Sequence, residues 1–321
     1  MLSRVADNLY WMARYLERAE HSARVMAVNV ESMVEQTPEE AAEAWVRVVA
    51  ALAWPLKEVV TGLPDALARR LTLDKAEPAS VLNSIRIARD NARQVRELIS
   101  TEMWAQLNQQ YLRIHAAEME LEWSAQPVQV LRDVVSELNL FSGLTDSTMR
   151  HGEGWHFIQL GRYTERAQAV SRLLDVYFGS LPEDVKQSLR APRYFDWLSL
   201  LKQCTAFEAY CKVYTADVVP AKVAEFLIFD PEFPHSIRFA TDRIQEELSH
   251  VAPGAGGVRR IQAERLSGRL KATLDYGQVE ELLAGGDIDG FLRGIQASCK
   301  QIHQSMYDAF IGYSVDELLA V

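Results

Sequence analysis

Residues 8–19 of this 321-residue chain read Asn-Leu-Tyr-Trp-Met-Ala-Arg-Tyr-Leu-Glu-Arg-Ala, and residues 156–167 read His-Phe-Ile-Gln-Leu-Gly-Arg-Tyr-Thr-Glu-Arg-Ala, at a constant offset of 148. Two further echoes follow in the same order at an offset of 152: Trp45 with Trp197, and Ser84-Ile85-Arg86 with Ser236-Ile237-Arg238. Any helical bundle re-uses apolar residues for packing, whereas the part shared here, Arg-Tyr-x-Glu-Arg-Ala, is mostly polar. The chain reads as an internal duplication, with a first helical repeat at 1–150 and a second at 151–321, joined near 145–155 into one compact body. No linker is rich enough in Pro, Ser or Gly to separate two independently moving domains.

Apolar residues recur at spacings of three and four, and no segment shows the alternation of a strand, so the fold class is all-α. In the first helix Val5, Leu9, Met12, Leu16, Ala19, Ala23, Met26 and Val30 make a continuous seam. Its counterpart runs through Phe157, Leu160, Thr164, Ala167, Ser171, Leu174 and Phe178. Further helices are expected near 38–53, 80–99, 101–116, 127–142, 194–213, 235–250, 258–275 and 288–312, with a loop at Pro253-Gly254-Ala255-Gly256-Gly257.

The balance of 48% apolar and 24% charged residues is that of a globular chain. Its net charge of −10 argues against a nucleic-acid binder, and its apolar runs are too short to span a membrane. The N-terminus leads into an amphipathic helix instead of a secretory signal, so a cytoplasmic protein is expected. Three cysteines are too few for a disulfide framework.

Against this acidic background an anion site must be a local basic patch, and two candidates stand out. On the first helix Arg14 lies almost opposite the apolar seam, with Glu17, Arg18 and His21 on the same far side. The repeat supplies Arg162, Glu165 and Arg166, and a pseudo-twofold arrangement would turn the two polar faces towards each other. Arginine suits such a site because its planar fork binds a carboxylate or phosphate through two hydrogen bonds. The alternative is a solvated helix face carrying weak surface ion pairs. Tyr15 and Tyr163 accompany these residues, as do Tyr10, Trp11 and Trp155. The second candidate is a ridge of Arg86, Arg89, Arg93 and Arg96 at 3-4-3 spacing, with Asn91 among them and Trp104 beyond. Such a ridge calls for an anionic ligand, an acidic partner or carboxylates from other helices. The second half keeps only Arg238, because Thr241, Gln245 and Leu248 stand at the other matching positions.

Catalytic motifs are otherwise sparse. Glu153-x-x-His156 and Glu247-x-x-His250 have a spacing used by di-metal carboxylate bundles, but both sit at helix ends, and no residue is assigned to a metal. No phosphate-cradling loop, dinucleotide fingerprint or nucleophile elbow is present. The chain therefore carries no expected cofactor and no visible nucleotide site of its own.

The segment Asn8 to Ala19, the run Ala88-Arg89-Asp90-Asn91-Ala92-Arg93 with Trp104 and Asn108 after it, and Gly161 to Ala167 together resemble the bacterial alpha-E family, named for a helical domain with a Glu-Arg motif. Asp90 stands where that family's pattern has Glu, which keeps the charge. The resemblance implies a protein working beside a circularly permuted ATP-grasp protein that holds ATP and Mg, often near a transglutaminase-like protein, in ATP-dependent amide or peptide bond formation. It supplies no catalytic residue. The expectation is a helical component that binds an anionic peptide, an acyl phosphate or the partner subunit through its Arg and Glu faces; the alternative is a non-catalytic scaffold with an electrostatic docking surface.

Overall fold

A computed structural model describes residues 3–55, 64–179, 193–251 and 257–310. Among them there are fifteen α-helices and no strand. They are α1 (Ser3–Ser32), α2 (Pro38–Ala51), α3 (Pro64–Leu73), α4 (Val81–Gln94), α5 (Thr101–His115), α6 (Met119–Ala125), α7 (Pro127–Thr148), α8 (Glu153–Phe178), α9 (Tyr194–Gln203), α10 (Phe207–Tyr214), α11 (Pro220–Phe229), α12 (Ile237–His250), α13 (Gly257–Tyr276), α14 (Val279–Ala284) and α15 (Ile288–Phe310).

Local chemistry sets most of these boundaries. At the start of α2 the Thr37 hydroxyl accepts from Glu40 N while Glu40 accepts from Thr37 N, a reciprocal capping box in front of Pro38. Ser80 and Ser236 cap α4 and α12 by accepting from Asn83 N and Phe239 N. At the end of α8 Gly179 adopts φ 116°, a left-handed conformation that closes the helix.

Helix α1 packs on α4 and α7, with α5 closing a ring of four; α8 packs on α12 and α15, with α13 closing another. The two motif helices pack extensively on each other, α2 leans on α8, and α9 leans on α1. Residues 149–152 separate α7 from α8. The core is continuous from Leu9, Met12 and Met26 through Ile85 and Met103 to Phe157, Leu174, Ile244 and Cys299.

Several expected boundaries move. The helix expected at 80–99 ends at Gln94 and passes through a 3-10 turn at Arg96–Leu98. The one expected at 194–213 breaks after Gln203, where Thr205 takes φ 51°. The helix expected to end at 142 runs on to Thr148. Pro253 to Gly256 of the expected loop, and residues 311 and 312 of the last helix, lie outside the described residues. The echo at Ser84 is one helical turn out of register with its counterpart, since the residue that caps α4 as Ser236 caps α12 is Ser80.

Candidate functional site

Helices α1 and α8 meet at small residues. A Cβ placed on Gly161 would lie 2.3 Å from the Tyr10 carbonyl oxygen and 3.1 Å from Ala13 Cβ. Only glycine lets the backbones approach this closely, and the approach buries the far side of α1 as well as its seam. Arg14, Glu17, Glu20, His21 and Arg24 are all buried, so the alternative of a solvated helix face does not hold for them. This side is the interface with the other motif helix.

Across that interface the two Glu-Arg pairs are exchanged. Arg166 binds Glu17 through Nε (2.5 Å) and Nη2 (2.9 Å), and Arg18 binds Glu165 through Nε (2.7 Å) and Nη2 (3.1 Å). Each arginine also lies over the tyrosine three residues before it: Arg18 is 5.1 Å from the Tyr15 ring centre and Arg166 5.4 Å from that of Tyr163. Bidentate pairs of this kind fix both position and orientation.

The surroundings of the two pairs differ. Arg166 spends its third donor on the Pro234 carbonyl at 3.1 Å and keeps 14% side-chain exposure. Beside it Glu20 pairs with Arg24, which also donates to the Gln203 carbonyl at 2.7 Å. Glu17 and Glu20 thus match Arg166 and Arg24 one for one, and Glu17, Glu20, Arg166, His235 and Arg162 line a cavity of about 40 Å³. Arg162 is held by Gln159 Oε1 at 3.0 Å and lies 3.7 Å from Asp146, and does not join Glu17.

On the other side Glu165 faces three guanidinium groups. Arg14 reaches it at 2.6 Å and donates to Gln168 Oε1 at 3.0 Å. Arg18 keeps 36% side-chain exposure, and among the described residues its Nη1 has no hydrogen-bond partner. Arg172 has no carboxylate partner among the described residues; its Nε donates to the Gln168 carbonyl at 3.3 Å. Arg18, Arg172, His21, Ser22 and Glu165 line a cavity of about 290 Å³, whose remaining wall includes Trp54 and Leu71. Burial alone would raise the Glu165 pKa, but Arg14 and Arg18 overcome it and hold the carboxyl at about 2. For Arg172, burial acts with Arg18 and Arg14 to lower the pKa, against the pull of Glu165. His21, buried beside Arg24 and Arg172, is pushed down to about 3 and is neutral. Among the described residues the open side thus carries an uncompensated positive charge beside the cavity.

One residue accounts for much of the imbalance. At the motif offset Arg172 corresponds to Arg24, and Gln168 corresponds to Glu20. Glu20 neutralises Arg24 four residues on, whereas Gln168 cannot neutralise Arg172. Sequence reasoning missed Arg172, although its spacing from Arg24 was the available signal.

The arginine ridge lies elsewhere, over α5. Arg89 donates to Asn108 Oδ1 at 3.0 Å and lies 4.5 Å from the Tyr111 ring centre, while Arg96 lies 5.4 Å from that of Trp104. Arg86 pairs with Asp90 at 3.3 Å, and Arg93 is exposed. Aromatic faces, more than carboxylates from other helices, neighbour the ridge. Asn91 donates back to the Ile87 carbonyl of its own helix at 2.8 Å, and Arg238 pairs with Asp275 at 3.0 Å, so neither joins the crossing. The two Glu-x-x-His segments do converge: His156, Glu247 and His250 form one cluster, without Glu153.

A family model described as Alpha-E, "a predicted alpha-helical domain with a conserved ER motif", matches residues 1–311. Uncharacterized proteins of Mycobacterium bovis and Mycobacterium tuberculosis are each 24% identical over 332 residues, which covers 93% of this chain and 36% of theirs. The chain spans about a third of the length of these curated relatives. No solved structure matches. No described helix is long and apolar enough to cross a membrane.

Proposed function

For a chain that belongs to the Alpha-E family, we propose a role as the anion-holding helical component of a two-protein, ATP-dependent amide or peptide ligase. The circularly permuted ATP-grasp partner would supply ATP and Mg and convert a substrate carboxylate into an acyl phosphate; an amine then displaces the phosphate. The observation that carries this reading is the cavity beside Glu165, where Arg18 Nη1 and Arg172 have no carboxylate partner among the described residues. A carboxylate, phosphate or acyl phosphate entering it meets fixed donors in a partly desolvated setting, where their charge is worth more than in water. Arg14 and Glu165 position Arg18, and Trp54 and Leu71 exclude water from part of the wall.

The test is product formation by the chain reconstituted with its ATP-grasp partner. Arg172→Gln and Arg18→Lys are expected to lose turnover while melting near the wild-type temperature, and wild-type turnover in both variants would refute the role. The isolated chain is expected neither to hydrolyse ATP nor to bind it tightly, for want of a phosphate-cradling loop. Micromolar ATP binding in calorimetry on this chain alone would overturn that division of labour.

A second reading, an electrostatic docking scaffold, is favoured by the exposure of Arg93 and Arg96 beside Trp104. It requires the partner to leave the chain when the ridge is neutralised, even with the cavity intact.

A further inference from the structure

We propose that His156, Glu247 and His250 form a binding site for a divalent transition-metal ion of the zinc type, made of residues other than the Glu-Arg pairs and independent of the ligase reading. Helix α8 brings His156 from its first turn, and α12 brings Glu247 and His250 from its last. One ligand atom from each lies within 4.8 Å of the others.

The donor set is the first argument. Two imidazoles and one carboxylate form a common three-ligand set for zinc and iron, leaving coordination positions open. Magnesium and calcium prefer oxygen donors throughout and are disfavoured. Orientation is the second. His250 Nδ1 donates to the Glu246 carbonyl at 2.9 Å, which leaves Nε2 unprotonated in the neutral ring. His156 Nδ1 and Glu247 Oε2 are already hydrogen-bonded at 2.5 Å, so two candidate donors stand side by side.

Burial is the third. Glu247 keeps 4% side-chain exposure and His156 14%, while His250 is exposed, so the site has a fixed floor and a movable third ligand open to solvent. The His156 and His250 rings are stacked, 4.8 Å between centres and 7° from parallel. In-plane lone pairs of parallel rings do not converge, so ligation requires His250 to turn about its side-chain bonds and the His156–Glu247 pair to open slightly. The exposed position of His250 allows the turn, which gives up the present Nδ1 contact with the Glu246 carbonyl. The last carbonyls of α12 add partial negative charge where the cation would sit.

The competing account is a bare His156–Glu247 tie holding α8 to α12, and Zn²⁺ titration separates the two. Tag-free, chelator-stripped protein is titrated with Zn²⁺ by calorimetry and with Co²⁺ by visible absorption. One ion per chain is expected, with affinity roughly tenfold or more weaker in His250→Ala and in Glu247→Gln. His250→Ala removes an exposed side chain and Glu247→Gln keeps the shape of a buried one; matching thermal melts of both establish folding. His151→Ala, beyond the cluster, is expected to bind as the wild type does. Absence of stoichiometric Zn²⁺ binding, or binding unchanged in His250→Ala, would leave only the tie and overturn the proposal.

Discussion

The two Glu-Arg pairs use the same residues, the same tyrosine backing and the same bidentate geometry, but they face different surroundings. At Glu17–Arg166 every cation has its own anion or carbonyl, and the adjoining space is about 40 Å³. At Glu165 one carboxylate serves Arg14 and Arg18, Arg172 has no carboxylate partner among the described residues, and the adjoining space is about 290 Å³. A buried pair that balances its charge is a tie between helices; an unbalanced one beside a void is a place for a ligand. On the proposed function the two copies of one motif divide labour, one fastening the crossing and the other binding.

The largest way to break this comparison is to remove Glu165. Glu165→Gln leaves Arg14, Arg18 and Arg172 together without their shared anion, and is expected to cost about 3–5 kcal/mol and lower Tm by on the order of 10 °C. The pH dependence follows the same group. Its folded pKa of about 2 lies below the ordinary 4.5, so the stability it contributes is present above 4.5 and fades as pH falls towards 2. Denaturation curves across that window should lose this acid limb in Glu165→Gln.

Next is the point where the helices meet. Gly161→Ala drives a Cβ against the Tyr10 carbonyl and should cost about 1–3 kcal/mol in urea unfolding, loosening both pairs at once. Unchanged stability would mean that the close approach is not what holds them. A smaller effect sharpens the difference between the sides. Arg166→Lys gives up the fork and the Pro234 contact in a buried setting and should cost about 1.5–3 kcal/mol, whereas the more exposed Arg18→Lys should cost under about 1 kcal/mol. Equal melting temperatures for these two variants would erase the distinction.

The all-α class was legible because 4-3 spacing persists over long seams such as Val5 to Val30, whereas the caps at Thr37 and Ser236 became visible only in the fold. Helices α3, α6, α11 and α14 were missed because segments of six to ten residues are too short to display a seam. The encounter of the two polar faces was foreseen from their repetition, but their burial was not. A helix packed on two sides has no solvent face, and the cue was the small pair Ala13 and Gly161, not any apolar stripe. The cluster of His156 with Glu247 was out of reach because it depends on tertiary contact across 91 positions.

The most direct test acts on the residue that separates the two sides. Gln168→Glu places a carboxylate four residues before Arg172, as Glu20 stands before Arg24, and should convert the open side into a second closed one. The measurement is Tm as a function of inorganic phosphate, compared with chloride at matched ionic strength. The wild type is expected to gain stability with phosphate, and Gln168→Glu and Arg172→Gln to gain none. A wild type indifferent to phosphate, or a Gln168→Glu variant that responds as the wild type does, would contradict the assignment of the Glu165 side as the binding copy.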